Sequence, residues 1–135
     1  MTLIVLDTNV LVAALLNVHG VPARLWRLIL AGHVRLCVDQ QILVEYDEVL
    51  RRPKFGFRID DVNSILAFIE DTAVKATPVP LPAASIDPDD QVFMEVALTA
   101  QAAYLVTGNL KHFSHVHQHG VRVVPPGKFM EKFIS

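Results

Sequence analysis

The chain has one cysteine, Cys37, and one tryptophan, Trp26, in 135 residues. A single thiol cannot form an internal disulfide, and its setting, Val34-Arg35-Leu36-Cys37-Val38, reads as a buried core position. This is the cysteine usage of a reducing, cytoplasmic compartment. Positive charge is not in excess either. Twelve Lys and Arg against fourteen Asp and Glu leave a net charge of −2, which excludes the global basic field that binds nucleic acid indiscriminately. Any contact with nucleic acid must be local. No apolar run reaches the ~18 residues of a membrane span, and the opening Met1-Thr2-Leu3-Ile4-Val5-Leu6-Asp7 lacks the basic start of a signal peptide, so no membrane attachment is expected. Internal repeats and low-complexity segments are missing too. What is present is a composition 52% hydrophobic and 19% charged, enough for one hydrophobic core. The length is that of a single domain on a prior of roughly 150 residues each, here residues 1–135.

Short apolar runs alternate with helical stretches, the pattern of βαβ units around a mostly parallel sheet. Strands are expected at Leu3–Leu6, Val34–Val38, Tyr104–Thr107 and Val121–Val124. Helices are expected at Asn9–Leu16, Pro22–Ala31, Gln40–Arg51, Asp60–Ala76, Pro88–Ala103 and Pro126–Phe133. Pro22 suits a first turn and Gly32 a stop, and the helix from Gln40 must end before Pro53. Thr77-Pro78-Val79-Pro80-Leu81-Pro82 reads as an extended connector within the domain. Asp87 suits an N-cap ahead of Pro88. The expected fold is α/β: a three-layer α/β/α sandwich on a central, mostly parallel sheet of four to five strands.

In such a sheet ligands bind outside the carboxyl ends of the strands, where loops and helix N-termini converge. Strand one ends in Asp7-Thr8-Asn9, strand two in Asp39, and the strand at Tyr104 in Thr107-Gly108-Asn109. Helix capping explains each singly; the three together point to a site. Asp90 adds an argument from helical geometry. At roughly 100° per residue, Ala97, Met94 and Phe93 fall within about 60° of Asp90, so its carboxylate lies on the core-facing stripe. A buried charge needs a partner, either a basic side chain or a metal ion. The segment from Ile86 to Tyr104 holds no basic residue, which favours metal. On the helix from Gln40, Ile42, Tyr46, Leu50, Leu43 and Val49 define the buried arc. Glu45 and Asp47 border it on opposite sides and Glu48 faces solvent. Geometry does not choose between Glu45 and Asp47, and an i,i+4 pair of Asp47 with Arg51 is a competing use.

Clustered carboxylates raise one another's pKa, and a divalent cation relieves the repulsion. Oxygen ligands without a cysteine or an ordered histidine pair imply Mg2+ or Mn2+ rather than zinc. Such a site suits metal-assisted phosphoryl transfer.

Four segments, in order, resemble the PIN domain (PilT N-terminus) family of small metal-dependent ribonucleases, over nearly the whole chain. They are Val5-Leu6-Asp7-Thr8-Asn9-Val10-Leu11-Val12, then Leu43-Val44-Glu45-Tyr46-Asp47-Glu48-Val49-Leu50, then Asp87-Pro88-Asp89-Asp90 ahead of Ala97, and finally Tyr104-Leu105-Val106-Thr107-Gly108-Asn109. The second segment is similar to the family's helix with an acid after a leucine, and that similarity selects Glu45 over Asp47. By resemblance, Asp7, Glu45, Asp90 and Asn109 form the catalytic set; Asp7, Glu45 and Asp90 bind Mg2+ or Mn2+; and Thr8, Asn9 and Thr107 orient the carboxylates or water. The implied reaction is hydrolysis of an RNA phosphodiester. Within the family the chain is most similar to the toxins of type II toxin–antitoxin pairs, which implies a cognate antitoxin partner and a homodimer. Asn109 departs from the family pattern, which has Asp there. The loss of one negative charge weakens a second ion more than a first, which leaves a one-ion site and substitution by Asp87 or Asp89 as open alternatives. The alternative reading is a catalytically weakened module that binds RNA or a protein partner.

Arg51-Arg52-Pro53-Lys54-Phe55-Gly56-Phe57-Arg58 carries four basic residues and two phenylalanines without an acid. Arg51, Arg52, Lys54 and Arg58 are candidates for RNA or antitoxin contact, against a solvated loop with its Phe side chains folded onto the core. The run from His112 to His119 matches no zinc spacing and reads as a surface loop. Trp26 reads as core or dimer contact. A haloacid-dehalogenase-like phosphatase needs a second Asp two positions after Asp7, where this chain has Asn9, and a response-regulator receiver carries its acceptor on a middle strand.

Overall fold

The computed structural model describes residues 1–80, 88–113 and 120–134. Strand β1 (Thr2–Leu6) is the axis of the molecule. Its Ile4, Val5 and Leu6 are at most 1% exposed, so both faces of the strand are covered, which is what a parallel sheet flanked by helices requires. Around it lie β2 (Val34–Val38), β3 (Val74–Lys75), β4 (Tyr104–Val106) and β5 (Arg122–Val124), in the order β3-β2-β1-β4-β5. All four pairings are parallel.

Six α-helices among the described residues cover the sheet: α1 (Thr8–Leu16), α2 (Val21–Leu30), α3 (Gln40–Leu50), α4 (Ile59–Thr72), α5 (Pro88–Thr99) and α6 (Pro126–Ile134). α2 packs on α1 and α6, and α3 on α4 and α5, with α1 also meeting α3 at the end of β1; the arrangement is the expected three-layer α/β/α sandwich. α5 lies against β1, β2 and β4. The buried residues form one core, with Tyr46, Phe93, Phe113 and Phe129 as its largest fully buried members. Trp26 belongs to that core and meets Phe68 edge to face at 5.9 Å. Cys37 is fully buried, and burial pushes its thiol up to about 11. Among the described residues, no helix is long and apolar enough to cross a membrane.

Two helices end earlier than the periodicity predicts. α4 was expected to reach Ala76, but it stops at Thr72, whose hydroxyl bonds back to the Phe68 carbonyl at 2.8 Å. Ala73 is extended, and Val74 and Lys75 then pair with Cys37 and Val38 as the fifth strand. The open edge of β2 offers backbone hydrogen bonds that outweigh a weak helical continuation. α5 was expected to reach Ala103 and ends at Thr99. Gln101 turns left-handed, with φ at 54°, and Ala102 N–H bonds the Ala97 carbonyl at 3.0 Å, closing the helix end and sending Ala103 to pair with Leu3. Gly32 stops α2 as expected, at φ 83°. The expected cap Asp87 and the histidines His115, His117 and His119 lie outside the described residues, as does the side chain of Asp89.

The strand order positions the site. The chain fills β1, β2 and β3 outward in one direction, then crosses back to β4 on the other side of β1. The crevice at the carboxyl ends of β1 and β4 is thus the switch point, where ligands bind in open α/β sheets. The ladders end unequally there. β1 pairs with β4 as far as Leu6 opposite Val106, whereas its pairing with β2 stops at Ile4 opposite Leu36.

Candidate functional site

Asp7 follows the last residue of β1 and caps α1, with its carbonyl accepting the amides of Val10 and Leu11. Its own N–H continues the β1–β4 ladder to the Val106 carbonyl at 2.9 Å. The residue is 4% exposed. Thr107, fully buried just past β4, donates its hydroxyl to Asp7 Oδ2 at 2.6 Å and accepts the Asn109 N–H at 3.0 Å. The switch point thus joins two residues 100 positions apart.

The electrostatics of Asp7 are under-compensated. Burial raises its carboxyl above the usual range, and the Asp90 carboxylate nearby raises it further. The Thr107 hydroxyl and the amides of Asn9 and Thr8 act in the opposite direction without cancelling the effect. A buried carboxylate in this state is stabilised by a proton or by a cation. Asp90 reaches it from the first turn of α5, whose Phe93, Met94 and Ala97 are buried as the helical geometry anticipated.

Glu45 is half-buried on α3 and accepts a hydrogen bond from the Thr8 hydroxyl, which attaches it directly beside Asp7. Asp47, the other border acid, turns outward to Arg51 at 2.6 Å. Asp39 is buried at the carboxyl end of β2 but accepts the Ile42 N–H at 2.8 Å. It is an N-cap of α3. Asn9 and Asn109 are exposed at the rim.

Tyr46 was expected in the core and is there, fully buried. Its hydroxyl also donates to the Leu6 carbonyl at 2.5 Å. Burial holds that hydroxyl well above its usual pKa, with Asp7, Glu45 and Cys37 adding to the rise. The available signal was its place next to Glu45 on a helix whose buried arc meets the end of β1; no periodicity shows a hydroxyl's partner.

The donors at this rim are hard oxygens. Among the described residues, no three His, Cys, Asp or Glu side chains converge closely enough to enclose an ion. Asp7 has the Asp90 carboxylate nearby, with Glu45 held at Thr8. This donor set fits an ion that keeps several waters and takes one or two carboxylates, the habit of Mg2+, better than an all-protein cage.

The basic segment is assembled differently. Arg51 pairs with Asp47 and also donates to Asn63 at 2.6 Å, and Arg52 lies 3.8 Å from Glu48. Lys54 sits 5.1 Å from the Phe55 ring centre, and Phe55 stacks on Phe57 at 5.7 Å. Both rings are half-buried and Arg58 is exposed ahead of α4.

A family model described as a PIN domain matches residues 3–111, a span that takes in β1, α3, α5 and β4 with every rim residue named above. Among curated proteins, the uncharacterized protein MJ1680 of Methanocaldococcus jannaschii is 27% identical over 143 residues, covering 96% of this chain and 90% of the relative.

Proposed function

The chain belongs to the PIN domain family, whose members are generally nucleases that use divalent metal ions, and on that premise we propose that it is a Mg2+- or Mn2+-dependent endoribonuclease. The observation that carries this reading is the buried, under-compensated carboxylate of Asp7, held by Thr107 with the Asp90 carboxylate nearby at the switch point of the sheet. Asp7 and Asp90 would hold the ion, with Glu45 as the third acid at hand. A bound ion supplies an activated water and neutralises charge developing on the phosphate. The protein's own part is orientation. Thr107 holds Asp7 by one carboxylate oxygen, and Thr8 holds Glu45. Asn109, exposed beside Thr107, offers a neutral oxygen where a fourth carboxylate would add charge, in keeping with a single ion rather than two.

The finer reading is a toxin of a type II toxin–antitoxin pair, acting as a cytoplasmic homodimer. It rests on the sequence resemblance and on the surface available to a partner. Leu16, Val18 and Ile59 are exposed, and a groove of about 340 Å3 is lined by Leu15, Phe57, Asp61, Ser64 and Ile65.

The test incubates metal-stripped protein with single-stranded and structured RNA in Mg2+, Mn2+ or chelator, beside Asp7→Asn and Asp90→Asn prepared identically. Metal-dependent cleavage lost in both variants is the expected result. Equal cleavage by variants and wild type would expose a contaminant and remove the assignment. Metal binding with no turnover would shift the reading to a module that binds RNA or a protein partner.

A further inference from the structure

The carboxyl end of β1 has an unequal neighbourhood. On one side β4 pairs with it through Leu6 and Val106, and the Asp7 N–H extends that ladder by one more bond. On the other side pairing with β2 ends two residues earlier, at Ile4 and Leu36. A buried carbonyl at Leu6 therefore needs a partner that β2 does not supply. The Tyr46 hydroxyl takes that place, reaching 40 residues along the chain from fully buried α3 packing. Tyr46 is the next residue after Glu45, and Leu6 is the residue before Asp7. One hydrogen bond thus ties together the two backbone segments that carry these acids.

We propose that Tyr46 is a positioning residue of the carboxylate rim, its hydroxyl clamping α3 to the end of β1 and thereby setting Glu45 against Asp7 and Thr8. The residue touches neither ion nor substrate and acts through the backbone. Two observations beyond the bond itself support the role. The Thr8 hydroxyl bonds Glu45 across the same junction, so an error in the α3–β1 distance would break a second contact at once. The α1 turn that begins at Asp7 hangs on the Asp7 carbonyl, with Val10 N–H at 3.0 Å, so the strand end and the helix start move as one unit. The metal readout rests on the nuclease reading above; the backbone readout does not.

The experiment compares wild type, Tyr46→Phe and Ile69→Val, the last a fully buried position on α4 that serves as a control for general core loosening. Amide hydrogen exchange is measured residue by residue without metal. Expected in Tyr46→Phe is faster exchange, about tenfold for loss of one buried hydrogen bond, at Asp7 and Val10, with Val5 and Leu105 little changed; Ile69→Val should raise exchange without that pattern. Unchanged protection at Asp7 and Val10, or a uniform rise matching the control, overturns the proposal. In parallel, RNA cleavage in Mn2+ should show kcat reduced about tenfold, the low end for an outer-shell partner, with KM for RNA nearly constant. If wild type cleaves nothing in any metal, the nuclease reading fails and the exchange data still decide the role of Tyr46.

Discussion

The rim at β1 and β4 and the basic segment from Arg51 to Arg58 are equally conspicuous in sequence, yet the fold treats them in opposite ways. At the rim, three polar groups are bound from distant parts of the chain: Asp7 by Thr107, Glu45 by Thr8, and the Leu6 carbonyl by Tyr46. In the basic segment, Arg51 and Arg52 turn back to acids four residues earlier, Asp47 and Glu48, and Arg51 also meets Asn63 of α4, all on exposed surface. Long-range bonds between buried groups create a fixed geometry. Exposed i,i+4 pairs contribute little and are exchanged easily for solvent or for another anion. A site is thus recognised by where its polar groups find their partners more than by how many charges it holds.

The contrast is broken most severely by Asp7→Asn, which should abolish metal-dependent RNA cleavage. The same substitution should raise the melting temperature of the metal-free protein at pH 7. The sign follows from the raised carboxyl of Asp7: its contribution is fully favourable only below the unfolded value and is lost as pH rises through the higher folded value. The gain of Asp7→Asn over wild type should therefore shrink on acidification, and calorimetry across pH checks it. Thr107→Val removes only the hydroxyl that orients Asp7. Activity should fall roughly 10- to 100-fold, the range for outer-shell partners of metal ligands, in steady-state cleavage assays on protein of verified fold.

Smaller effects test the other side of the comparison. Lys54→Ala and Arg58→Ala should each weaken RNA binding a few-fold and lower the salt slope by about 1 if they meet phosphate; fluorescence anisotropy at several salt concentrations reads this, and an unchanged slope assigns both to solvent. Asp39→Ala removes the cap of α3 and should cost about 1 kcal/mol in urea denaturation with specific activity per folded molecule preserved, which separates a capping acid from a rim acid. Arg51→Ala should change stability by less than about 0.5 kcal/mol, since its pair with Asp47 is exposed.

Most of the elements were legible because local periodicity and punctuation set them. Ile4, Val5 and Leu6 read as a buried strand, Pro53 ended α3, and of the expected arc Ile42, Tyr46 and Leu50 are buried while Leu43 and Val49 at its margins are half-buried. Asp90 could be placed because helical geometry ties its direction to Phe93, Met94 and Ala97. The two-residue β3 was not legible, since Val74 and Lys75 are strand only because the edge of β2 is there to pair with them. The left-handed Gln101 is likewise a product of the turn into β4.

By itself, then, the sequence determined most of the core, roughly where the helices begin, and which acids stand at strand ends or border inward helical faces, all consequences of side-chain period and capping chemistry within a few residues, while the bonds of Glu45 to Thr8 and of Asp47 to Arg51 are what separate those two acids. Only the tertiary structure decided that β4 lies beside β1, that Thr107 therefore reaches Asp7, and that Tyr46 answers the carbonyl β2 leaves without a partner. Those bonds join residues 100 and 40 positions apart, and no local propensity encodes which distant backbone will supply a buried group with its hydrogen bond.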